Sequence, residues 1–129
     1  LIGGEGEDVL FGGVGDDTLT GGADSDTYAW SAGDTTGTDT IVGFDASNGG
    51  DILDFSDLLQ GESADSGTLD EYLNISFDGT DTTISVDVDG GGVYTDTQVV
   101  VEGVDLTALG ASQADIIQQL LDQNNLATD

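Results

Sequence analysis

The 129 residues carry 27 acidic side chains and no Lys, Arg or His, a formal charge of −27 at neutral pH. With no group to neutralise a phosphate, nucleic acid is excluded as a direct partner, and anionic lipid and anionic polysaccharide are disfavoured for the same reason. No run of apolar residues approaches the length of a membrane-spanning helix, and Cys is absent, so neither membrane insertion nor a disulfide framework is expected.

The first element is a repeat. Gly3 to Phe11, Gly12 to Thr20 and Gly21 to Ala29 are three nonapeptides in register, and Leu1-Ile2 read as the last two positions of another. The chain, which also lacks Met, is therefore expected to begin inside an array and to be a piece of a longer protein. In each nonapeptide six Gly-rich residues can turn sharply and end on a carboxylate. Three extended residues follow, with the middle one apolar (Leu10, Leu19, Tyr28). Each nonapeptide makes half a coil, so a turn lies against the turn two repeats later. Of the acidic residues 22 are Asp and only five Glu, a bias that solubility does not require. Asp is the shorter carboxylate, tolerates turns, and reaches a cation held close to the backbone. A chain so charged either stays disordered or folds around bound cations. Three consecutive copies favour the second outcome.

These repeats, G-G-x-G-x-D-x-U-x in pattern, resemble those of the RTX proteins, with the likeness closest over residues 1–29. The resemblance implies an all-β fold: a right-handed parallel β-roll (a calcium-binding β-solenoid), then a small β-rich cap and a C-terminal amphipathic helix. It also implies calcium between stacked turns, held by carbonyls at the second and fourth positions and the Asp of the earlier turn. The later turn would add carbonyls at its first and third positions and its own Asp. Carried over, one site is Gly4, Gly6 and Asp8 with Gly21, Ala23 and Asp26. Asp24 departs from the pattern, standing where the family usually has Gly. Six oxygens including two carboxylates suit calcium better than magnesium. A degenerate turn follows a four-residue insertion, Trp30 to Gly33: Asp34 to Val42 keeps Gly37, Asp39 and Ile41 at the matching positions. Asp39 would then partner the turn of Gly13, Gly15 and Asp17, with Asp34 as an extra ligand, giving at least two calcium ions.

After residue 42 the period breaks, and a boundary is expected at 45/46: a calcium-binding roll over 1–45 and a β-rich capping and secretion-signal region over 46–129. The stretch Gly43-Phe44-Asp45 and Gly50 to Leu59 resembles the segment that follows the array in many type I secreted proteins. Tyr28, Trp30, Ile41, Phe44, Ile52, Leu53 and Phe55 are expected to form the core that closes the roll, a core role for Trp30 being preferred over ligand binding. Asp45 and Asp51 either complete another calcium site or belong to a solvated acidic loop. Leu73 to Phe77 and Thr82 to Val88 alternate apolar and polar residues about an Asp78–Asp81 turn, predicting a hairpin, with a third strand around Gln98 to Glu102. Asp87 and Asp89 echo the start of an EF-hand loop, but no further ligands follow, and they are read as surface carboxylates.

The tail predicts a helix, N-capped by Ser112 with Asp115, placing Ile116, Ile117, Leu120 and Leu121 on one face and stopping at Asn124-Asn125. That face either packs on the core or meets an exporter before folding, and the two readings are compatible. Without His, Cys or Lys the usual general bases and nucleophile pairings are missing, so no enzyme is expected. The resemblance implies instead a calcium-dependent folding and type I secretion module at the end of an extracellular or cell-surface adhesin or toxin, handed to an ABC transporter during export. Cytosolic calcium would be too low to fill sites of about 10⁻⁴–10⁻³ M affinity, so the chain would fold only outside. A monomer is expected. The alternative is an extracellular ligand-binding module, for an adhesin target or carbohydrate, that uses calcium.

Overall fold

The computed structural model describes residues 1–31, 37–47, 49–59, 72–87 and 97–128. Each nonapeptide ends in a short strand: β1 (Ile2–Gly4), β2 (Val9–Phe11), β3 (Thr18–Gly22) and β4 (Thr27–Ala29). Strands two repeats apart pair in parallel, Ile2 with Thr20 and Val9 with Thr27, so odd and even strands build two separate sheets. The eighteen-residue spacing expected of stacked turns is the spacing observed.

Both sheets run on past the regular repeats. β5 (Thr38–Val42) pairs with β3 at an offset of 22 residues, the eighteen of the repeat plus the four-residue insertion. β6 (Ile52–Asp54) pairs with β4 at an offset of 25, so the period that the sequence breaks after residue 42 resumes at Asp51. The inner column of one sheet is Leu10, Tyr28, Leu53 and Leu126, and that of the other is Leu19, Ile41 and Val101, all buried. Ile52, expected in the core, is only half-buried. Strand alternation turns it to the outer face once Leu53 points in.

The hairpin forms where alternation places it, from β7 (Leu73–Phe77) and β8 (Thr82–Val86). Asp78 closes the turn, its Oδ1 accepting from the N–H groups of Thr80 (2.9 Å) and Asp81 (2.8 Å), which hold its carboxyl below the usual range. β9 (Thr97–Val101) lies antiparallel to β8 and parallel to β5, joining the hairpin to the repeat sheet in the order β1-β3-β5-β9-β8-β7. Asp87 is a correction: it is 2 % exposed, with its N–H donating to the Tyr72 carbonyl beside the end of β8, and is no surface carboxylate.

Helix α1 (Gln113–Asp122) follows a 3₁₀ turn at Leu106–Leu109 and begins at Ser112, whose hydroxyl accepts from the Asp115 N–H. Ile116, Ile117 and Leu120 are buried, while Leu121 is only half-buried. Gln113 clamps the edge strand β7, accepting from the Ile75 N–H and donating to its carbonyl, both at 2.7 Å. The helix stops in a left-handed residue, Asn124 (φ 61), with Asn124 N–H bonded to Leu121 and Asn125 N–H to Leu120. That reversal returns the chain to β10 (Leu126–Ala127), which pairs in parallel with β6 as the last strand of the order β10-β6-β4-β2. A strand after the helix was not expected. The described chain is thus strand-rich with one α-helix and two sheets in which the repeat strands pair in parallel, an arrangement compatible with a β-roll. No described helix is long and apolar enough to cross a membrane.

Candidate metal centres

The turns before the strands owe their shape to backbone that Gly adopts without strain. Gly4, Gly6, Gly13 and Gly15 have φ of 125, 94, 91 and 104°, alternating with residues that are not at positive φ. In the third turn Gly22 (φ 119) and Asp24 (φ 72) repeat the alternation. Asp24, where a Gly was expected, accepts the left-handed conformation, and its Oδ2 takes the Gly6 N–H one rung away at 3.1 Å. That bond offsets part of a strain on the order of 1–2 kcal/mol.

The sixth-position carboxylates stack in two columns. Asp26 Oδ1 accepts from the Asp8 N–H, Asp51 Oδ1 from the Asp26 N–H, and Asp39 Oδ1 from the Asp17 N–H, each at 2.9 Å. These bonds fix the carboxylates and leave the other oxygens facing the hollows of the turns. Asp8 Oδ2, Asp17 Oδ2 and Asp26 Oδ2 are buried with no hydrogen-bond donor. A methyl group placed on Gly3 would lie 2.6 Å from Asp8 Oδ2 and 2.8 Å from the Gly21 carbonyl oxygen, so those two oxygens converge on one hollow. Placed on Gly12, it would lie 3.1 Å from Asp39 Oδ2 and 3.3 Å from Asp17 Oδ2, two carboxylates aimed at one point. The Gly4 carbonyl faces the later turn, where it accepts from the Ala23 N–H at 3.1 Å.

Buried carboxylate oxygens without donors cost several kcal/mol each unless a cation meets them. The sequence offers no cationic side chain, so the cation must come from solution. The donors are oxygens only, from carboxylates and backbone carbonyls, which is the ligand chemistry of calcium. Among the described residues no three carboxylates gather closely enough to hold a metal by side chains alone, so carbonyls must complete each site. Residues 1–28 match the family model of the RTX calcium-binding nonapeptide repeat (4 copies).

The chain carries an RTX repeat array. No curated protein matches it. Within the RTX turns the stacking brings Gly4, Asp8, Gly21, Ala23 and Asp26 together at one rung pair, and Asp17 with Asp39 at another. Gly6, Gly13 and Gly15 occupy the left-handed positions of their turns, and the Gly15 carbonyl lies against Gly37. Asp34 lies outside the described residues. Asp51 is 2 % exposed and in register with Asp26, whereas Asp45 is exposed, its own N–H donating to Asp51 Oδ2 at 2.9 Å.

Two hydrogen-bonding contacts of the RTX columns are not legible in the sequence, although a core place for Trp30 is. Trp30, 1 % exposed, stacks on Phe55 at 4.9 Å and donates its indole N–H to Asp39 Oδ2 at 2.7 Å. Its place in the insertion just before the degenerate turn was the only available hint. Asn125, fully buried, donates from Nδ2 to the carbonyls of Ser47 (3.0 Å) and Asp51 (2.8 Å), binding the C-terminal strand to the last carboxylate rung. Burial pushes the Asp39 and Asp51 carboxyls up, countered in part by the N–H groups of Trp30 and of Asp26 and Asp45 respectively. A bound cation reverses that direction. Burial likewise pushes the Tyr28 phenol up to about 12.

Proposed function

We propose that the chain is the calcium-dependent folding and type I secretion module at the C-terminal end of an extracellular RTX protein, and that it is non-catalytic. In this reading residues 1–45 form a right-handed β-roll and residues 46–129 close it as a cap that also carries the export signal. Calcium is held by Gly4, Gly6, Asp8, Gly21, Ala23 and Asp26 at one site. Gly13, Gly15, Asp17 and Asp39, with Asp34, hold it at a second. The observation that carries the proposal is the row of buried, donorless oxygens on Asp8, Asp17 and Asp26 in a chain without cationic side chains.

In calcium-poor cytosol the carboxylates repel and the chain stays extended, a form that an ABC transporter can pass. Ile116, Ile117, Leu120 and Leu121 are then free to meet the transporter. Outside, calcium drives folding and the same face packs into the core, where three of the four are buried. The folded product is a monomer, extracellular or held at the cell surface.

The test is a far-UV circular dichroism titration. The chain is expected to lack β signal in excess EDTA and to gain it cooperatively in millimolar calcium. A β-rich spectrum unchanged by EDTA would refute calcium-dependent folding. For export, deletion of residues 114–129 is expected to abolish passage through a type I system, and normal secretion of the truncated chain beside a full-length control would remove the secretion role.

A further inference from the structure

The geometry points to a third calcium site beyond the matched repeats, between the turn ending at Asp26 and the loop ending at Asp51, with Asp26 shared by two ions. The inference rests on calcium binding by the repeat turns, and deepens it.

The loop over residues 43–51 has Gly43, Gly49 and Gly50 but not the G-G-x-G spacing of a nonapeptide, so the motif does not announce a site there. The structure nevertheless stacks it as a repeat. Tyr28 pairs with Leu53 as Leu10 pairs with Tyr28, and Asp51 Oδ1 accepts from the Asp26 N–H as Asp26 Oδ1 accepts from the Asp8 N–H. The turn below is also a translated copy: Gly22 and Asp24 take the left-handed conformations of Gly4 and Gly6. Asp26 Oδ2 faces Gly21 as Asp8 Oδ2 faces Gly3.

Asp26 decides the matter. Its side chain is fully buried, Oδ1 accepts from the Asp8 N–H of the rung behind, and Oδ2 lies against Gly21 at the start of its own turn with no donor. A solvated acidic loop would leave such an oxygen wet, and a hydrogen-bonded one would supply an N–H. Neither is found, so the free oxygen calls for a cation held by Asp26 Oδ2 and Asp51, with the Gly22 and Asp24 carbonyls at the positions of Gly4 and Gly6. The column then stops for a visible reason. The Asp45 N–H occupies Asp51 Oδ2, so at the end of this column a donor stands where a further ion would otherwise be needed.

Calcium bound per chain, measured by equilibrium dialysis at saturating calcium with folding followed by circular dichroism, tests this. The wild-type chain is expected to hold three ions or more. Asp8→Asn and Asp51→Asn should each lose one, from different sites, and Asp26→Asn should lose two. A wild-type count of two or fewer would overturn the third site, and this result does not depend on how any variant folds. So would an Asp51→Asn chain that keeps the wild-type count, or an Asp26→Asn chain that loses no more than Asp8→Asn. A wild-type chain that binds no calcium would instead bring down the calcium reading as a whole, so the two failures are distinguishable.

Discussion

At the scale of single residues, the side chains that shape the sites are those that hold a neighbour's backbone or carboxylate. Tyr28 fills the inner column between Leu10 and Leu53, and its hydroxyl accepts from the Gly21 N–H at 2.9 Å, inside the turn that follows the Gly12 repeat. Tyr28→Phe keeps the ring and removes the acceptor, leaving a buried N–H unpaired. The expected loss is about 1–3 kcal/mol in a urea melt at saturating calcium, and an unchanged midpoint would show that Gly21 finds another partner. Trp30 is a residue whose role the sequence placed only by half. Its burial was expected from its size and apolar neighbours, but its bond to Asp39 depends on how a four-residue insertion folds back, which no local pattern encodes. Asp87 was misread because an acidic residue at a strand end is usually wet.

At the scale of elements, what was legible was what repeats. The rungs from β1 to β5 and the Asp8–Asp26 and Asp17–Asp39 stacking follow from an eighteen-residue period and one insertion. The hairpin and α1 follow from alternation, a Ser cap and a helical apolar stripe. Asp51 was legible only as one of two alternatives, and the stacking of β6 as a further rung was hidden, because the connection is longer by seven residues and loses the G-G-x-G spacing. β10 was hidden because two residues carry no period, and because the helix stop at Asn124, which was legible, does not show that the chain then reverses into a strand. The turns themselves make an internal comparison possible. Gly13 and Gly22 are both left-handed, but a methyl group on Gly13 meets nothing within 4 Å whereas one on Gly22 runs into the Gly4 carbonyl oxygen. Gly13→Ala is therefore expected to cost about 1 kcal/mol from backbone strain alone. Gly22→Ala should cost more, and should raise the calcium concentration needed for folding. Equal midpoints in parallel calcium titrations would contradict the close rung contact.

At the scale of the whole molecule, a charge of −27 raises the question of whether calcium acts by screening or by ligation. Screening is general: 1 M monovalent salt cuts the Debye length to about 3 Å and relieves most repulsion between exposed carboxylates. Ligation is local, and the buried oxygens of Asp8, Asp17 and Asp26 lie where a hydrated monovalent ion gains little. Molar potassium chloride with EDTA is thus expected to leave the chain without its β signal, and full recovery of that signal would assign calcium's effect to screening. The joined sheets also tie distant parts of the chain together. Ile117, Leu120 and Leu126 share one core with Leu53 and Phe55, so removing the tail should weaken calcium-induced folding as well as export. The two-residue strand β10 has a mechanical consequence. Its bonds to the β6 segment include those from the Leu53 N–H to the Asn125 carbonyl and from the Phe55 N–H to the Ala127 carbonyl, both 2.8 Å. A pull applied at Thr128 loads the Phe55–Ala127 bond first, then Leu53–Asn125, before any carboxylate rung bears tension. Under force the molecule should yield in two stages, a short, weak release of the last strand followed by a strong, calcium-dependent rupture of the stacked turns.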